Sequence, residues 1–187
     1  IDGTDPTATS PVIVSGTTLF LGSFTLKVKA SRTGAIDSAI VSAAYSLTGP
    51  LGPGSAAAGG THSLVATPDG RVMAWGGNGN GQIGNESTVD RTTPTPLNTI
   101  TGVTQVAGGL AHTLARTWNG QVFAWGSNAS GRLGDGTTTQ RTRPVAVTSL
   151  ADVVAVAAGD AHSLALTADG RVFAWGSNAS GELGLGN

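Results

Sequence analysis

The sequence predicts an all-β fold: a partial β-propeller of about three 50-residue blades, preceded by a small, incomplete β-sandwich module. Three observations carry the propeller. The chain repeats itself every 50 residues, each copy holds an Asp-Gly or Asn-Gly turn at one place, and strand-length apolar runs flank that turn.

The repeat is read from single residues. His62, His112 and His162 stand 50 residues apart, and so do Trp75, Trp125 and Trp175. Gly59, Gly109 and Gly159 keep the same phase, as do Gly84, Gly134 and Gly184. No insertion breaks it over three copies, whose cores are 56–84, 106–134 and 156–184.

Each core reads as a hairpin. In the third copy, Ser163 to Ala168 and Arg171 to Gly176 are strand-like, with Asp169-Gly170 between them. The first copy has Asp69-Gly70 and the second Asn119-Gly120. A two-residue loop of this kind favours a type I′ turn, which makes Gly70, Gly120 and Gly170 part of the framework. That turn sets Leu166 opposite Phe173 and Leu164 opposite Trp175, with Ala165 opposite Ala174 on the other face. The expectation is one bulky face and one lean face per blade, which stack alternately around a ring. Val153 to Ala157 supplies a strand before the hairpin and Pro144 to Val147 a fourth.

The N-terminal 47 residues follow another pattern. Thr25 to Ala30 alternates apolar and polar, and Ile36 to Leu47 gives a second strand. Residues 48–55, rich in Gly and Pro, read as a linker, and the propeller repeats run over 56–187. The chain opens at Ile1 without Met and stops inside the third copy's turn, so it is expected to be a fragment of a longer protein.

Composition narrows the function. Ten Lys and Arg stand against eleven Asp and Glu, which leaves no basic excess for nucleic acid. There is no cysteine, so disulfides and Cys-based zinc sites are excluded. No apolar run reaches the ~20 residues of a membrane helix.

A search for chemistry returns framework. A catalytic base is needed once, whereas His62, His112 and His162 recur in every blade, and 50-residue spacing is no metal-ligand signature. Trp75, Trp125 and Trp175 read as core by the same logic. Gly79 to Gly84 matches G-x-G-x-x-G, but no helix pattern follows and the other copies break the motif. Asn128-Ala129-Ser130 and Asn178-Ala179-Ser180 are formal glycosylation sequons that fall on the framework Asn. No catalytic, cofactor or metal residue is assigned.

Departures from the repeat are the candidates for partner binding. Trp118 stands where the other copies have Pro68 and Ala168, and Arg116 where they have Ala66 and Leu166. An exposed Trp and Arg at a hairpin tip have the makings of an interface hot spot. The alternative is that Arg116 lies over the Trp118 ring and shields it. The loops Glu86 to Arg91 and Thr137 to Arg143 vary in sequence at fixed length, which adds Glu86, Asp90, Arg141 and Arg143.

The run from Gly159-x-x-His162 through Asp169-Gly170-x-Val172 to Trp175-Gly176-x-Asn178-x-x-Gly181-x-Leu183-Gly184 resembles the regulator-of-chromosome-condensation repeat family. The resemblance covers about 56–187 and implies a seven-bladed propeller that binds proteins without catalysis. It also implies two narrower roles, nucleotide exchange on a small GTPase and inhibition of a protein such as β-lactamase. The opening Asp2-Gly3-Thr4-Asp5-Pro6, with Lys29-Ala30 and Ala44-Tyr45, resembles the C-terminal β-sandwich module of chitobiase and β-hexosaminidase. That likeness implies a secreted or surface protein of bacterial type, carbohydrate as a further partner, and an accessory role beside a carbohydrate-active enzyme. A cytoplasmic address stays open.

Overall fold

The computed structural model describes residues 54–186 in full and the backbone of 24–28 and 41–45. The chain divides into two compact units, Ile1–Pro50 and Leu51–Asn187. In the first, β1 (Phe24–Val28) and β2 (Val41–Tyr45) pair antiparallel, with Leu26 opposite Ala43. The other residues on which the chitobiase-type resemblance rests lie outside the described residues.

The second unit is a row of antiparallel sheets. The first holds β3 (Ser55–Ala58), β4 (His62–Ala66), β5 (Val72–Gly76) and β6 (Arg91–Leu97) in that order. The second holds β7 (Val103–Gly108), β8 (His112–Thr117), β9 (Val122–Gly126) and β10 (Arg141–Ala146). The third holds β11 (Val153–Ala158), β12 (His162–Thr167) and β13 (Val172–Gly176). Each is a propeller blade. Ser55, assigned to the linker from sequence, opens β3. The sheets approach along their first strands, where the Gln105 amide bridges β7 to β11 by two bonds to the Val156 backbone, of 3.0 and 3.1 Å.

The hairpin register differs from the sequence expectation by one residue. Ser163 faces Trp175, Leu164 faces Ala174, Ala165 faces Phe173 and Leu166 faces Val172. The other two hairpins repeat this register. The turn is the reason. Gly170 N–H donates to Thr167 O at 2.9 Å and Thr167 N–H donates to Arg171 O at 2.9 Å, which encloses three residues rather than two. Gly170 takes the left-handed position with φ of 84°, as a turn followed by a bulge requires. The Thr167 hydroxyl locks it by donating to Asp169 Oδ1 at 2.6 Å.

The shift corrects the picture of bulky and lean faces. Large residues now sit opposite small ones, so both faces are of middling height. Seams still form, because the two faces interlock. Leu64, Ala66, Val72 and Ala74 of the first blade pack against Ala115, Phe123 and Trp125 of the second. Leu114, Val122 and Ala124 of the second pack in the same way against Ala165, Phe173 and Trp175 of the third. Trp125 is fully buried in its seam and Trp175 sits in the next one.

Candidate functional site

His62, His112, Trp125 and Trp175 meet the repeat's glycines at the two seams, whereas Trp75, read as core from the sequence, and His162 are only partly buried and belong to neither relay. His62 Nε2 lies 2.9 Å from Thr113 Oγ1 in the next blade. That hydroxyl gives its own proton to Gln82 O at 2.8 Å, so it accepts from the histidine and fixes the Nε2–H tautomer. Trp125 Nε1–H donates to the same carbonyl at 2.8 Å. One seam on, His112 Nε2 lies 3.0 Å from Ser163 Oγ, and Arg132 O accepts from Ser163 Oγ at 2.8 Å and from Trp175 Nε1 at 2.9 Å. Each relay joins four residues across two blades.

Burial pushes the His62 and His112 imidazoles down to a pKa of about 4, and at His112 the Arg132 charge adds to the effect. Their Nδ1 atoms are buried with no hydrogen-bond partner. A proton there would be a buried cation without an acceptor, so these rings stay neutral and hold structure. Among the described residues no three His, Asp or Glu side chains gather as a metal site.

The framework glycines leave room for this. A Cβ on Gly109 would lie 2.2 Å from His112 Cε1, and one on Gly134 2.7 Å from Trp175 Nε1. Asn128 does the same service for the long loop after β9. Its amide nitrogen donates to Asp135 Oδ1, Thr137 O and Thr139 O at 3.0 Å, and its oxygen accepts from Leu133 N–H at 2.9 Å. Buried and fully spent, it is no glycosylation acceptor.

The candidate partner residues fall into two groups. β9 begins at the hairpin tip and ends at the long loop, so Trp118 and the loop residues occupy opposite ends of the blade. At the loop end, the loops of the first two blades touch. Glu86 N–H donates to Thr142 O at 2.8 Å, and Arg143 Nη1 lies 4.0 Å from Glu86 Oε1. Both side chains are well exposed. Asp90, itself exposed, and Arg141, partly buried, bond within their own loops. Asp90 Oδ1 accepts from Asn78 N–H at 2.8 Å, and Arg141 Nε donates to Asp135 Oδ2 at 2.8 Å. Burial raises the Asp135 pKa, but bonds from Thr137, Arg141 and Asn128 outweigh it and hold the carboxyl below its usual range.

At the tip end, the structure does not bring Arg116 and Trp118 into one cluster. The Arg116 guanidinium turns to the third blade, where Nη1 donates to Val153 O at 3.4 Å, and its Nε is buried without a partner. The only cation–π contact among the described residues is Arg171 over Phe173. Trp118 stays 46% exposed, with its backbone N–H bonded to Gly102 O at 2.9 Å.

Sequence reasoning missed the linking residues. Thr113 and Ser163 carry the seam, while the framework Asn, named from the sequence at Asn128, was given no role and holds the loop, as Asn78 does in the first blade. Their recurrence at the 50-residue period was the available signal.

Comparison with known proteins follows these seams. The family model described as the regulator of chromosome condensation repeat matches residues 69–116 and 119–166. A second model with the same description matches 55–82, 103–132 and 153–182. The crystal structure of Prp20p from Saccharomyces cerevisiae, described with its binding to Gsp1p and histones, is similar at 28% identity and a TM-score of 0.61. The alignment covers 69% of this chain and 32% of Prp20p. Human WBSCR16 is similar at 27% identity and a TM-score of 0.59, over 73% of this chain and 35% of that one. The chain therefore spans about a third of the length of these proteins.

Proposed function

This chain belongs to the regulator of chromosome condensation repeat family, and from that premise we propose that it is a non-catalytic scaffold that binds another protein. The carrying observation is the ridge where loops of neighbouring blades meet, with Glu86 and Arg143 exposed on a rigid support. Charge at such a ridge gives specificity more than affinity. The nearly neutral chain favours a protein partner over nucleic acid.

The test uses the full chain as bait, with mass-spectrometric identification of what it retains. The charge reversals Glu86→Lys and Arg143→Glu should each release the retained partner, and the double exchange should restore part of the binding. Retention unchanged by both single variants would remove the ridge from the interface.

A second reading follows from the likeness to Prp20p, described with its binding to Gsp1p: regulation of a small GTPase by nucleotide exchange. Release of a labelled guanine nucleotide from a small GTPase in the presence of this chain is the deciding assay. The roles of protein inhibitor and of accessory module beside a carbohydrate-active enzyme rest on the sequence resemblances. An extracellular or surface address belongs to the same reading, supported by the strand pattern of residues 1–47 and the paired β1 and β2.

A further inference from the structure

The tip end of the second blade carries a hollow of about 330 Å³ beside Trp118. Its lining is mostly polar, from Thr99, Thr101, Thr117, Asn119 and Gln121, with Ile100 and Phe123 contributing little apolar surface. No charged residue lines it. Among the described residues, the hydroxyls of Thr99 and Thr101, the Gln121 side-chain amide, Asn119 Nδ2 and Trp118 Nε1 find no hydrogen-bond partner. The Asn119 oxygen is used, accepting from Thr117 Oγ1 at 2.6 Å and from Gln121 N–H at 3.5 Å.

The indole lies against the backbone of the preceding turn. Its backbone N–H is bonded to Gly102 O, and its edge lies on Gly102, where a Cβ would come within 2.8 Å of Trp118 Cδ1. In the third blade the matching backbone bond runs from Ala168 N–H to Asp152 O at 2.9 Å. Both residue 102 and residue 152 take left-handed backbone, with φ of 70° and 53°. The second blade thus departs from the third at two touching positions together: glycine replaces the aspartate and tryptophan the alanine. The first copy also has glycine at this position, Gly52, with Pro68 in place of the tryptophan, so the departure peculiar to the second blade is the tryptophan, left half-exposed although burying it would serve stability better.

We propose that this hollow is a binding subsite for one unit of a neutral saccharide. The exposed part of the indole offers π surface to the C–H face of a pyranose. Uncharged amides and hydroxyls around it match sugar hydroxyls, which both donate and accept. An anionic ligand would call for Arg or Lys in the lining, and a peptide anchor for a deeper apolar pocket.

The experiment follows the indole N–H resonances of the full chain by NMR during titration with cellohexaose, chitohexaose, maltohexaose and mannohexaose, with heparin as an anionic comparison. One or more neutral oligosaccharides should shift the Trp118 signal saturably, with a dissociation constant on the order of 1 mM, as befits a shallow site. Trp118→Ala should abolish binding, and Gln121→Ala should weaken it about tenfold, roughly 1.4 kcal/mol. Neither is a core change, so unchanged remaining indole signals verify the fold. Gly102→Asp, which restores the third blade's residue, should displace the ring and lose binding as well. Failure of all four neutral saccharides to shift Trp118, a stronger response to heparin, or binding that survives Trp118→Ala would each overturn the assignment.

Discussion

His62 and Thr113 stand 51 residues apart in sequence and 2.9 Å apart in space, and the bond between them crosses a blade boundary. Because Thr113 passes its proton to Gln82 O, the carbonyl that also receives Trp125 Nε1, the pair is the middle of a chain rather than an isolated contact. The repeat's histidine and tryptophan are therefore two ends of one device.

Thr113→Val tests that device with little change of shape. It leaves the His62 N–H buried without an acceptor and removes one donor from Gln82 O. The expected loss is about 1–3 kcal/mol, read as a lower denaturation midpoint with an unchanged denaturant slope. A midpoint equal to that of the parent would show the bond to be dispensable.

Two glycines separate backbone conformation from close packing. Gly134 and Gly136 both have left-handed φ, 70° and 76°, but only Gly134 faces an indole. Gly136→Ala should cost on the order of 1 kcal/mol from backbone alone. Gly134→Ala adds a clash with Trp175 and should also shift tryptophan emission to the red as that ring gains water. Equal midpoints for the two variants would contradict the packing argument.

Acid should open the seams in a particular window. His62 and His112 have folded pKa values of about 4 against an ordinary 6.5, so the unfolded chain binds more protons between those values. Stability is fully present above pH 6.5 and falls as the pH drops towards 4, by up to about 3 kcal/mol per histidine. The depressed Asp135 carboxyl acts in the same direction but at lower pH, below its ordinary value. Thermal midpoints measured across pH 4 to 7 should decline on the acid side, and His112→Gln should flatten the slope. A level profile in the parent would refute neutral burial.

Val72 and Val172 occupy one repeat position but differ in cover, at 0% and 69% exposed. Val72→Asp should unfold the first seam, by several kcal/mol for an unpaired buried charge. Val172→Asp should leave the midpoint within about 0.5 kcal/mol. Comparable losses at both sites would mean that the third blade's outer face is covered in solution.

Much of this architecture was legible from the repeat: the blade count, the strand order and the presence of Trp125 and Trp175 in seams. The register was not, because Asp-Gly serves both a two-residue loop and a three-residue loop ending in left-handed glycine. The deciding residue was Thr167, whose side chain closes the longer loop, and Thr67 and Thr117 repeat its contacts. The partner surface was read residue by residue without its geometry. Asp90 and Arg141 bond within their own loops and Arg116 reaches the third blade, while Glu86, Asp90, Arg143 and Trp118 stay exposed.

The relay has a direction. Both described boundaries are made by an imidazole N–H and a carbonyl from the earlier blade and by a hydroxyl and an indole from the later one. A 50-residue block copied in frame between two others thus brings both halves of the joint it needs, one for each neighbour. Duplication can lengthen such a chain without any second mutation to repair the junction, whereas an inverted or out-of-phase copy would set like against like and leave both ends without a mate.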